Sequence, residues 1–209
     1  MIITSTAETM HSLYYSIIFL EFLLLSIVIA IFSYVIVTIY KLEKSTKSGK
    51  YVPYVPSSKT AINLVIKHHL VNENDVLCDI GCGFGYHLRK ISKETKCKKI
   101  VGIEKNFMLA TLTNGYLKLL RTPNVIIKNK DALNENYSKY TKVYLYMTSL
   151  FLKLILPKLE KELQINSLII TNTFRLPKSK FFSLTQKIHT NDLFISRKPL
   201  YLYVYKKVA

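Results

Sequence analysis

Cysteine is scarce in this 209-residue chain, and the few cysteines do not form a metal-binding pattern. They are Cys78, Cys82 and Cys97, with no Cys-x-x-Cys pair and no patterned histidine partners. Structural metal sites need closely spaced Cys and His ligands. No metal site is therefore expected, and the odd number of cysteines predicts free thiols if the domain faces a reducing compartment.

Acidic residues are also few, which leaves the chain strongly basic. It has 13 Asp and Glu against 30 Lys and Arg, a formal net charge of +17 at pH 7. Glu8 and Glu21 are the only charged residues before position 41, so residues 41–209 carry a formal charge of +19. Such a charge attracts anionic lipid or nucleic acid. Because the lysines are scattered and no RNA-binding or DNA-binding motif occurs, the sequence favours a lipid surface over nucleic acid.

Basic residues are missing from residues 1–40, and no small-residue cleavage site follows the apolar run, which argues against a secretory signal. Residues 17–40 contain Glu21 as their only strongly polar residue. As a helix, with a rise of about 1.5 Å per residue, they would span roughly 36 Å, enough for a hydrocarbon core of about 30 Å. The sequence predicts one retained transmembrane helix that binds membrane lipid, with a buried core helix as the alternative.

The flanks of this run predict its orientation. Lys41, Lys44, Lys47 and Lys50 all follow it, in a segment over residues 41–50 that we expect to be a charged linker. Because cytoplasmic flanks are enriched in basic residues, we expect the N-terminus outside and the following domain, residues 51–209, on the cytoplasmic or mitochondrial matrix side. The membrane would be the cell membrane of a prokaryote or the mitochondrial inner membrane of a eukaryote.

Helical and strand patterns alternate along residues 51–209. Helices are expected after Ser57 or Ser58, after Gly85, after Asn106, and over residues 150–163. Strands are expected over residues 76–78, 100–104, 125–127, 143–146, 168–170, 188–195 and 201–205. This order predicts an α/β fold, a Rossmann-like doubly wound sheet of seven strands that ends in an antiparallel hairpin.

The most informative pattern follows the first of these strands. It is Asp79-Ile80-Gly81-Cys82-Gly83-Phe84-Gly85, and Glu104 ends the next strand. Glycines let the backbone approach a ligand closely, and a carboxylate after the second strand can accept hydrogen bonds from ribose hydroxyls. A nicotinamide site would read G-x-G-x-x-G, with a small residue where Tyr86 stands. The observed D-x-G-x-G-x-G is typical of the first motif of S-adenosylmethionine-dependent methyltransferases, which makes S-adenosylmethionine the expected cofactor.

Seven residues are predicted to bind the cofactor, with Asp79 at its ammonium group, Glu104 at the ribose and Asp131 at the adenine. The full set is Asp79, Gly81, Gly83, Gly85, Glu104, Asn106 and Asp131. For Asn106 and Asp131 a helix-capping role is the alternative.

The methyl acceptor is expected at the end of the fourth strand. Candidates to line its channel are Tyr54, Tyr146, Thr148 and Asn172, none as a general base. The Asn/Asp-Pro-Pro-aromatic motif of adenine and amide methyltransferases does not occur after this strand, which weakens a base-methylating function.

Four further segments carry a family resemblance. They are Tyr-Val-Pro-Tyr-Val-Pro-Ser over residues 51–57, Gly-Ile-Glu-Lys-Asn over 102–106, Leu-Pro-Lys-Leu-Glu-Lys-Glu-Leu over 156–163 and Tyr-Leu-Tyr-Val over 201–204. Because of these four segments, residues 51–206 resemble the small protein-lysine methyltransferases of archaea and their membrane-anchored mitochondrial relatives. The resemblance implies methyl transfer to lysine side chains of a protein, in the anchored branch a membrane protein. The family usually reads Gly-Asp-Gly-Arg where this chain has Gly83-Phe84-Gly85-Tyr86.

Two other functions remain open at this point. An RNA or small-molecule methyltransferase is compatible with the +19 charge of residues 41–209 and with the generality of the fold. A non-catalytic cofactor-binding membrane protein is suggested by Phe84 and Tyr86 in place of the family's charged pair.

Overall fold

The computed structural model of the protein describes residues 2–47, 55–122, 124–190 and 200–209, with side chains of the first helix described over residues 15–37. The chain divides into two compact units, Met1–Tyr51 and Val52–Ala209. The first contains the apolar run and the second contains the glycine motif.

The first unit is built on one long helix, α1 (Ile2–Lys47). Its segment Tyr15–Val37 has a mean hydropathy of 2.6, and none of it is buried, unlike a core helix. By length and composition this segment could cross a membrane. The helix also continues through residues 41–47 of the predicted linker, where leucine, glutamate and lysine favour helix, while residues 48–50 lie outside the described residues.

The second unit is a seven-stranded sheet with helices on both faces. Its helices are α2 (Lys59–Lys67), α3 (Tyr86–Thr95), α4 (Phe107–Leu119) and α5 (Ser149–Glu162); its strands are β1 (Val76–Ile80), β2 (Lys99–Glu104), β3 (Val125–Asn129), β4 (Lys142–Leu145), β5 (Leu168–Asn172), β6 (Phe182–His189) and β7 (Tyr201–Lys207). The strand order is β3-β2-β1-β4-β5-β7-β6. Strands β1 to β5 are parallel, and β7 runs antiparallel to both of its neighbours. This confirms the predicted fold class.

The side chains of β1 point alternately into two layers of the core, one on each face of the sheet. Cys78 and Ile80 belong to the layer that includes α5, whereas Leu77 belongs to the layer that includes α2, α3 and α4. Since side chains two residues apart share a face of a strand, Asp79 points to the same side as Leu77. Tyr144 of β4 packs in that layer too. The fold therefore places a carboxylate and a phenol on the face that α2 and α3 cover.

The terminal antiparallel hairpin is confirmed, but its first strand begins earlier than the predicted range of residues 188–195. The observed strand, β6, begins at Phe182 and ends at His189, and residues 191–199 lie outside the described residues. It is an edge strand, and most of its side chains after Phe182 are exposed. A strand with so little burial carries no clear alternation of apolar and polar residues, so the pattern did not reveal it.

A buried carboxylate stabilises the connection between β3 and β4. The Glu135 side chain is only 1% exposed. It accepts hydrogen bonds from Lys128, Lys139 and the Tyr140 hydroxyl at 2.8 Å and from Lys130 at 3.2 Å. Burial acts to raise the pKa of Glu135, but these hydrogen bonds outweigh burial and lower the pKa to about 2.

We expect Glu135→Gln to lower the free energy of unfolding at pH 7 by roughly 1 to 3 kcal/mol, because three ammonium groups lose their shared counter-ion. The native pKa lies below the ordinary 4.5, so this stabilisation is complete above pH 4.5 and is lost as the pH falls toward 2. Urea unfolding of the detergent-solubilised chain, followed by circular dichroism between pH 7 and 3, measures both effects. The control is Glu94→Gln, which removes an exposed i,i+4 pair with Lys90. Equal pH profiles for the two variants would contradict the assignment.

Candidate cofactor site

The carboxyl ends of β1 and β4 lie at the point where the strand order reverses direction. The sheet continues from β1 through β2 to β3 on one side and from β4 through β5 on the other. Open α/β sheets bind ligands in the crevice at such a switch point. Asp79 and Tyr144 are register partners across the two strands, so both side chains stand at this crevice.

A cavity of about 470 Å³ opens there. The strand ends and glycine loop contribute Asp79, Gly81, Cys82, Gly85, Tyr144 and Tyr146; α3 contributes Tyr86, His87 and Lys90; and the segment leading into α2 contributes Val55, Pro56, Ser57, Ser58, Lys59 and Ile62. Of the residues predicted from sequence, Asp79, Gly81, Gly85 and Tyr146 line it. Among the residues lining this cavity, Asp79 is the only acid, whereas His87, Lys59 and Lys90 are basic.

Asp79 is held by a histidine that sequence reasoning missed. The residue is 2% exposed, and its Oδ2 lies 2.8 Å from Nε2 of His87. His87 follows Gly85 by two residues and lies in the first turn of α3, but a lone histidine carries no spacing signal in the sequence. A carboxylate offers about four lone-pair positions. Asp79 can therefore keep this contact and still accept hydrogen bonds from a ligand.

The glycine loop is tightly constrained. Gly81, Gly83 and Gly85 all have left-handed φ angles, of 74°, 55° and 58°. The N–H groups of Gly81 and Cys82 donate to the Ile103 carbonyl at 2.8 and 3.1 Å, which ties the loop to β2. A Cβ at position 85 would lie 2.9 Å from Cγ2 of Thr113. Conformation and space together require glycine there.

Glu104 supports this loop from the end of β2. Its Oε2 accepts a hydrogen bond from the Gly83 N–H at 3.1 Å, and its Oε1 accepts one from the Asn106 N–H at 2.8 Å. It does not line the 470 Å³ cavity. The structure therefore shows Glu104 as a support of the loop, and its predicted contact with a ribose stays a prediction.

Two other predicted ligands cap helical turns, which is the alternative that the sequence left open. Asn106 accepts a hydrogen bond from the Leu109 N–H at 3.0 Å and caps α4. Asp131 accepts one from the Leu133 N–H at 3.0 Å, and its Oδ2 lies 2.8 Å from Nζ of Lys105. Their roles toward the cofactor also stay predictions.

Of the three acceptor-channel candidates that the structure describes, one lines the cavity. Tyr146 lines the cavity. Thr148 caps α5 by accepting a hydrogen bond from the Phe151 N–H at 3.3 Å. Asn172 is buried and lies outside the cavity lining, and Tyr54 lies outside the described residues.

Tyr144 is a site residue that sequence reasoning did not select. Its hydroxyl lies 2.9 Å from Oγ of Ser57 and accepts a hydrogen bond from Nδ2 of Asn172 at 3.3 Å. Burial raises the pKa of Tyr144, so the side chain stays a neutral phenol. Its place in the fourth predicted strand, at whose end the acceptor is expected, was the available signal in the sequence.

Cys82 fills the space beneath the loop. A Cβ on Gly102 would lie 2.6 Å from Sγ of Cys82. Burial and then the neighbouring charges of Asp79 and Glu104 raise the pKa of Cys82, which keeps it a thiol. All three cysteines are buried and free, and the described residues contain no group of three His, Cys, Asp or Glu side chains able to hold a metal ion.

The aromatic residues beside the glycine loop leave the cavity open. Phe84 stacks on Tyr86 with ring centroids 5.7 Å apart, and Tyr86 meets Tyr116 edge to face at 5.4 Å. Tyr86 lines the cavity, whereas Phe84 is 36% exposed and does not.

The residues present fit S-adenosylmethionine. Its ammonium and sulfonium groups are positive, and Asp79 supplies a buried carboxylate beside Tyr144. Gly81 and Gly85 of the loop line the cavity without a Cβ, which allows close backbone approach.

Comparisons with known proteins agree with this chemistry. Residues 79–182 match the family model of the ANTKMT methyltransferase domain. A protein-lysine N-methyltransferase of Saccharolobus islandicus is 26% identical over 131 residues, which are 60% of this chain and 79% of that protein. A probable ribosomal RNA small subunit methyltransferase A of Methanosphaera stadtmanae is 26% identical over 82 residues, 39% of this chain and 30% of that protein.

A solved structure shares the fold. The RNA methyltransferase of Salinibacter ruber, crystallised with S-adenosyl-L-homocysteine, superposes with a TM-score of 0.64 at 21% identity and covers 74% of this chain and 94% of its own. Together with the domain match, it identifies S-adenosylmethionine as the cofactor.

We expect Gly85→Ala to weaken S-adenosylmethionine binding by roughly tenfold, because alanine at a left-handed φ costs about 1 to 2 kcal/mol and its Cβ would push the loop away from Thr113. Isothermal titration calorimetry measures the affinity. Gly115→Ala is the matched control, since a Cβ there would have no neighbour within 4 Å and should leave the affinity unchanged. Equal affinities for both variants would contradict the role of the loop.

Proposed function

The chain is an S-adenosylmethionine-dependent methyltransferase with an ANTKMT methyltransferase domain over residues 79–182, and we propose that it methylates lysine side chains of a membrane-associated protein. The observation that carries the proposal is the cavity that joins Asp79 to Tyr144 and Tyr146 at the switch point. The name of the Saccharolobus relative supports a protein-lysine acceptor. The domain match favours an enzyme over the non-catalytic cofactor-binding protein that Phe84 and Tyr86 suggested.

The proposed cofactor contacts follow from the site. Asp79 accepts hydrogen bonds from the ammonium group, and the backbone at Gly81, Gly83 and Gly85 allows close approach. Glu104 has lone pairs left for the ribose hydroxyls, Asp131 is the proposed acceptor for the adenine amino group, and Asn106 is a further proposed contact. When bound, the cofactor supplies a methyl group on a positively charged sulfur, which a neutral amine can attack.

The cavity favours the neutral form of an incoming lysine. A free lysine has a pKa of about 10.4 and is protonated at neutral pH. Lys59 and Lys90 line the cavity, and positive neighbours together with desolvation lower the pKa of an amine. Tyr146 provides an aromatic wall, and the hydrogen-bonded Tyr144 keeps its proton. These residues orient and desolvate the acceptor, and none removes a proton as a dedicated base.

RNA is the second candidate acceptor. The +19 charge of residues 41–209 supports it, as does the name of the Methanosphaera relative. The residues after β4 are Tyr146-Met147-Thr148-Ser149, without the proline-containing motif of base methyltransferases. Protein lysine is therefore the favoured acceptor.

We expect tritium-labelled cofactor, incubated with the full-length enzyme and membranes from cells lacking it, to label a protein band at lysine. Asp79→Ala and Glu104→Ala should each abolish most of the labelling, because one removes the cofactor's carboxylate contact and the other the support of the glycine loop. Glu94→Ala, which changes an exposed surface carboxylate of α3, is the control and should label normally. Labelling of RNA in place of protein would contradict the proposal.

We also propose that Tyr15–Val37 anchors the enzyme, with the N-terminus outside and the catalytic unit on the cytoplasmic or matrix side, in a prokaryotic cell membrane or a mitochondrial inner membrane. The apolar length of the segment and the lysines that follow it support this topology. The membrane would confine enzyme and substrate to one surface, which raises their effective concentration.

The anchored chain should resist extraction by alkaline carbonate. Ile29→Lys/Ile31→Lys should release it, since each charge near the centre of a membrane-spanning helix costs about 2.5 to 3.5 kcal/mol. Ile165→Lys, a change at a side chain that is 63% exposed in the catalytic unit, is the control and should stay membrane-bound. Release of the unchanged protein by carbonate would disprove the anchor.

A further inference from the structure

Helix α4 carries apolar side chains on two opposite faces. One face packs Ala110, Thr113 and Leu117 into the domain. The other exposes Phe107, Met108, Leu112 and Leu119, which are 69%, 72%, 61% and 81% exposed. A surface helix normally presents polar residues to water. Four large exposed side chains on one helix indicate a surface that contacts a partner.

These side chains form one continuous surface with the aromatic residues beside the cofactor site. Met108, Leu112 and Tyr116 follow each other at intervals of four residues and are therefore neighbours along α4. The Tyr116 ring meets Tyr86 at 5.4 Å, and Tyr86 stacks on Phe84 at 5.7 Å. We call this set the α4 band: Phe84, Tyr86, Phe107, Met108, Leu112, Tyr116 and Leu119. Because Tyr86 also lines the cavity, the band reaches the mouth of the site.

No other helix or strand of the described part of residues 52–209 exposes as many large apolar side chains as α4. The two on α5 are Leu150 and Leu154, which are 49% and 37% exposed. The surface is therefore concentrated at one place and is not a general property of this unit.

Two basic side chains flank the C-terminal end of the α4 helix. Of the five Lys or Arg residues in 105–130, Lys105 pairs with Asp131, and Lys128 and Lys130 pair with Glu135, so the two at α4 are Lys118 and Arg121. Lys118 lies near the end of α4, Arg121 follows it, and both are exposed. Apolar side chains bordered by basic ones are the pattern of elements that lie in the interface of an anionic membrane.

We propose that the α4 band is a membrane-contacting surface that inserts into the headgroup region of an anionic bilayer. Apolar faces of this type enter that boundary by about 5 to 10 Å, and Lys118 and Arg121 would meet the lipid phosphates. The proposal rests on the membrane anchoring proposed above. RNA fits the band less well, since bases stack on aromatic rings and gain little from Met108, Leu112 and Leu119.

The contact would restrict the substrates of the enzyme. With the band in the interface, the cavity mouth beside Tyr86 faces the membrane surface. The acceptor lysines are then those in segments that emerge directly from the bilayer, within reach of that mouth. A membrane protein could offer such a lysine without leaving the membrane plane.

Lipid-quenching depth measurements on the full-length protein test this surface. A fluorophore is attached at Leu112→Cys in the band or at Ser183→Cys, an exposed position on the opposite edge strand β6. The native cysteines are buried and stay unlabelled. The protein is reconstituted in vesicles of phosphatidylserine and phosphatidylcholine that carry spin-labelled lipid. We expect severalfold stronger quenching at position 112 than at position 183.

Matched variants test whether the α4 band causes this difference in quenching between positions 112 and 183. Met108→Ser/Leu119→Ser should remove most of the quenching at position 112, whereas Leu150→Ser/Leu154→Ser on α5 should leave it unchanged. Equal quenching at both labelled positions, or quenching that survives Met108→Ser/Leu119→Ser, would overturn the proposal. Protection of the label at position 112 by added RNA in preference to lipid would also overturn it.

The test distinguishes failure of the α4 band from failure of the membrane anchor and from failure of methyl transfer. Failure of the anchor appears as release of the protein from the vesicles in carbonate. Failure of the band appears as equal quenching at the two positions on protein that stays with the vesicles. Methyl transfer is not part of either readout.

Discussion

The attachment of the glycine loop to the ends of β1 and β2 is the constraint on which the site depends. The Ile103 carbonyl accepts hydrogen bonds from Gly81 and Cys82, and Glu104 accepts one from Gly83. These contacts hold three left-handed glycines at alternate positions, Gly81, Gly83 and Gly85, so that the chain turns directly from a buried strand into α3. The turn brings His87 back onto Asp79 and leaves an open cavity beside the buried carboxylate. Without this turn, the buried Asp79 carboxylate would have no side open to a ligand.

In the function that we propose, one charge distribution serves both the reaction and the membrane contact. Asp79 is the only acid among the residues that line the cavity, and the basic groups around it favour a neutral amine acceptor. Outside the cavity the same excess of lysine and arginine suits an anionic lipid surface. A methyltransferase for lysines near a membrane would need both properties, and one basic composition supplies them.

Much of the fold could be predicted from sequence because its central strands are buried on both faces and read as short apolar runs, as Val76–Ile80 and Leu168–Asn172 do. The helix N-caps Ser58 and Asn106 could also be predicted from the sequence, since each residue comes directly before a segment with helical apolar spacing. The early start of strand β6 at Phe182 was not predicted, because edge strands carry little burial signal. In the site, Asp79 and the glycines belong to a local motif. His87 and Tyr144 join them only through the packing of α3 and the register of β4, which no local pattern encodes.

A crystal structure of the enzyme with S-adenosyl-L-homocysteine would test the central claim most directly. The account predicts the ligand in the cavity at the β1 and β4 strand ends, with its amino group within about 3 Å of the Asp79 carboxylate and its ribose hydroxyls on Glu104. A ligand bound elsewhere, with Asp79 engaged by His87 alone and the cavity empty, would contradict it.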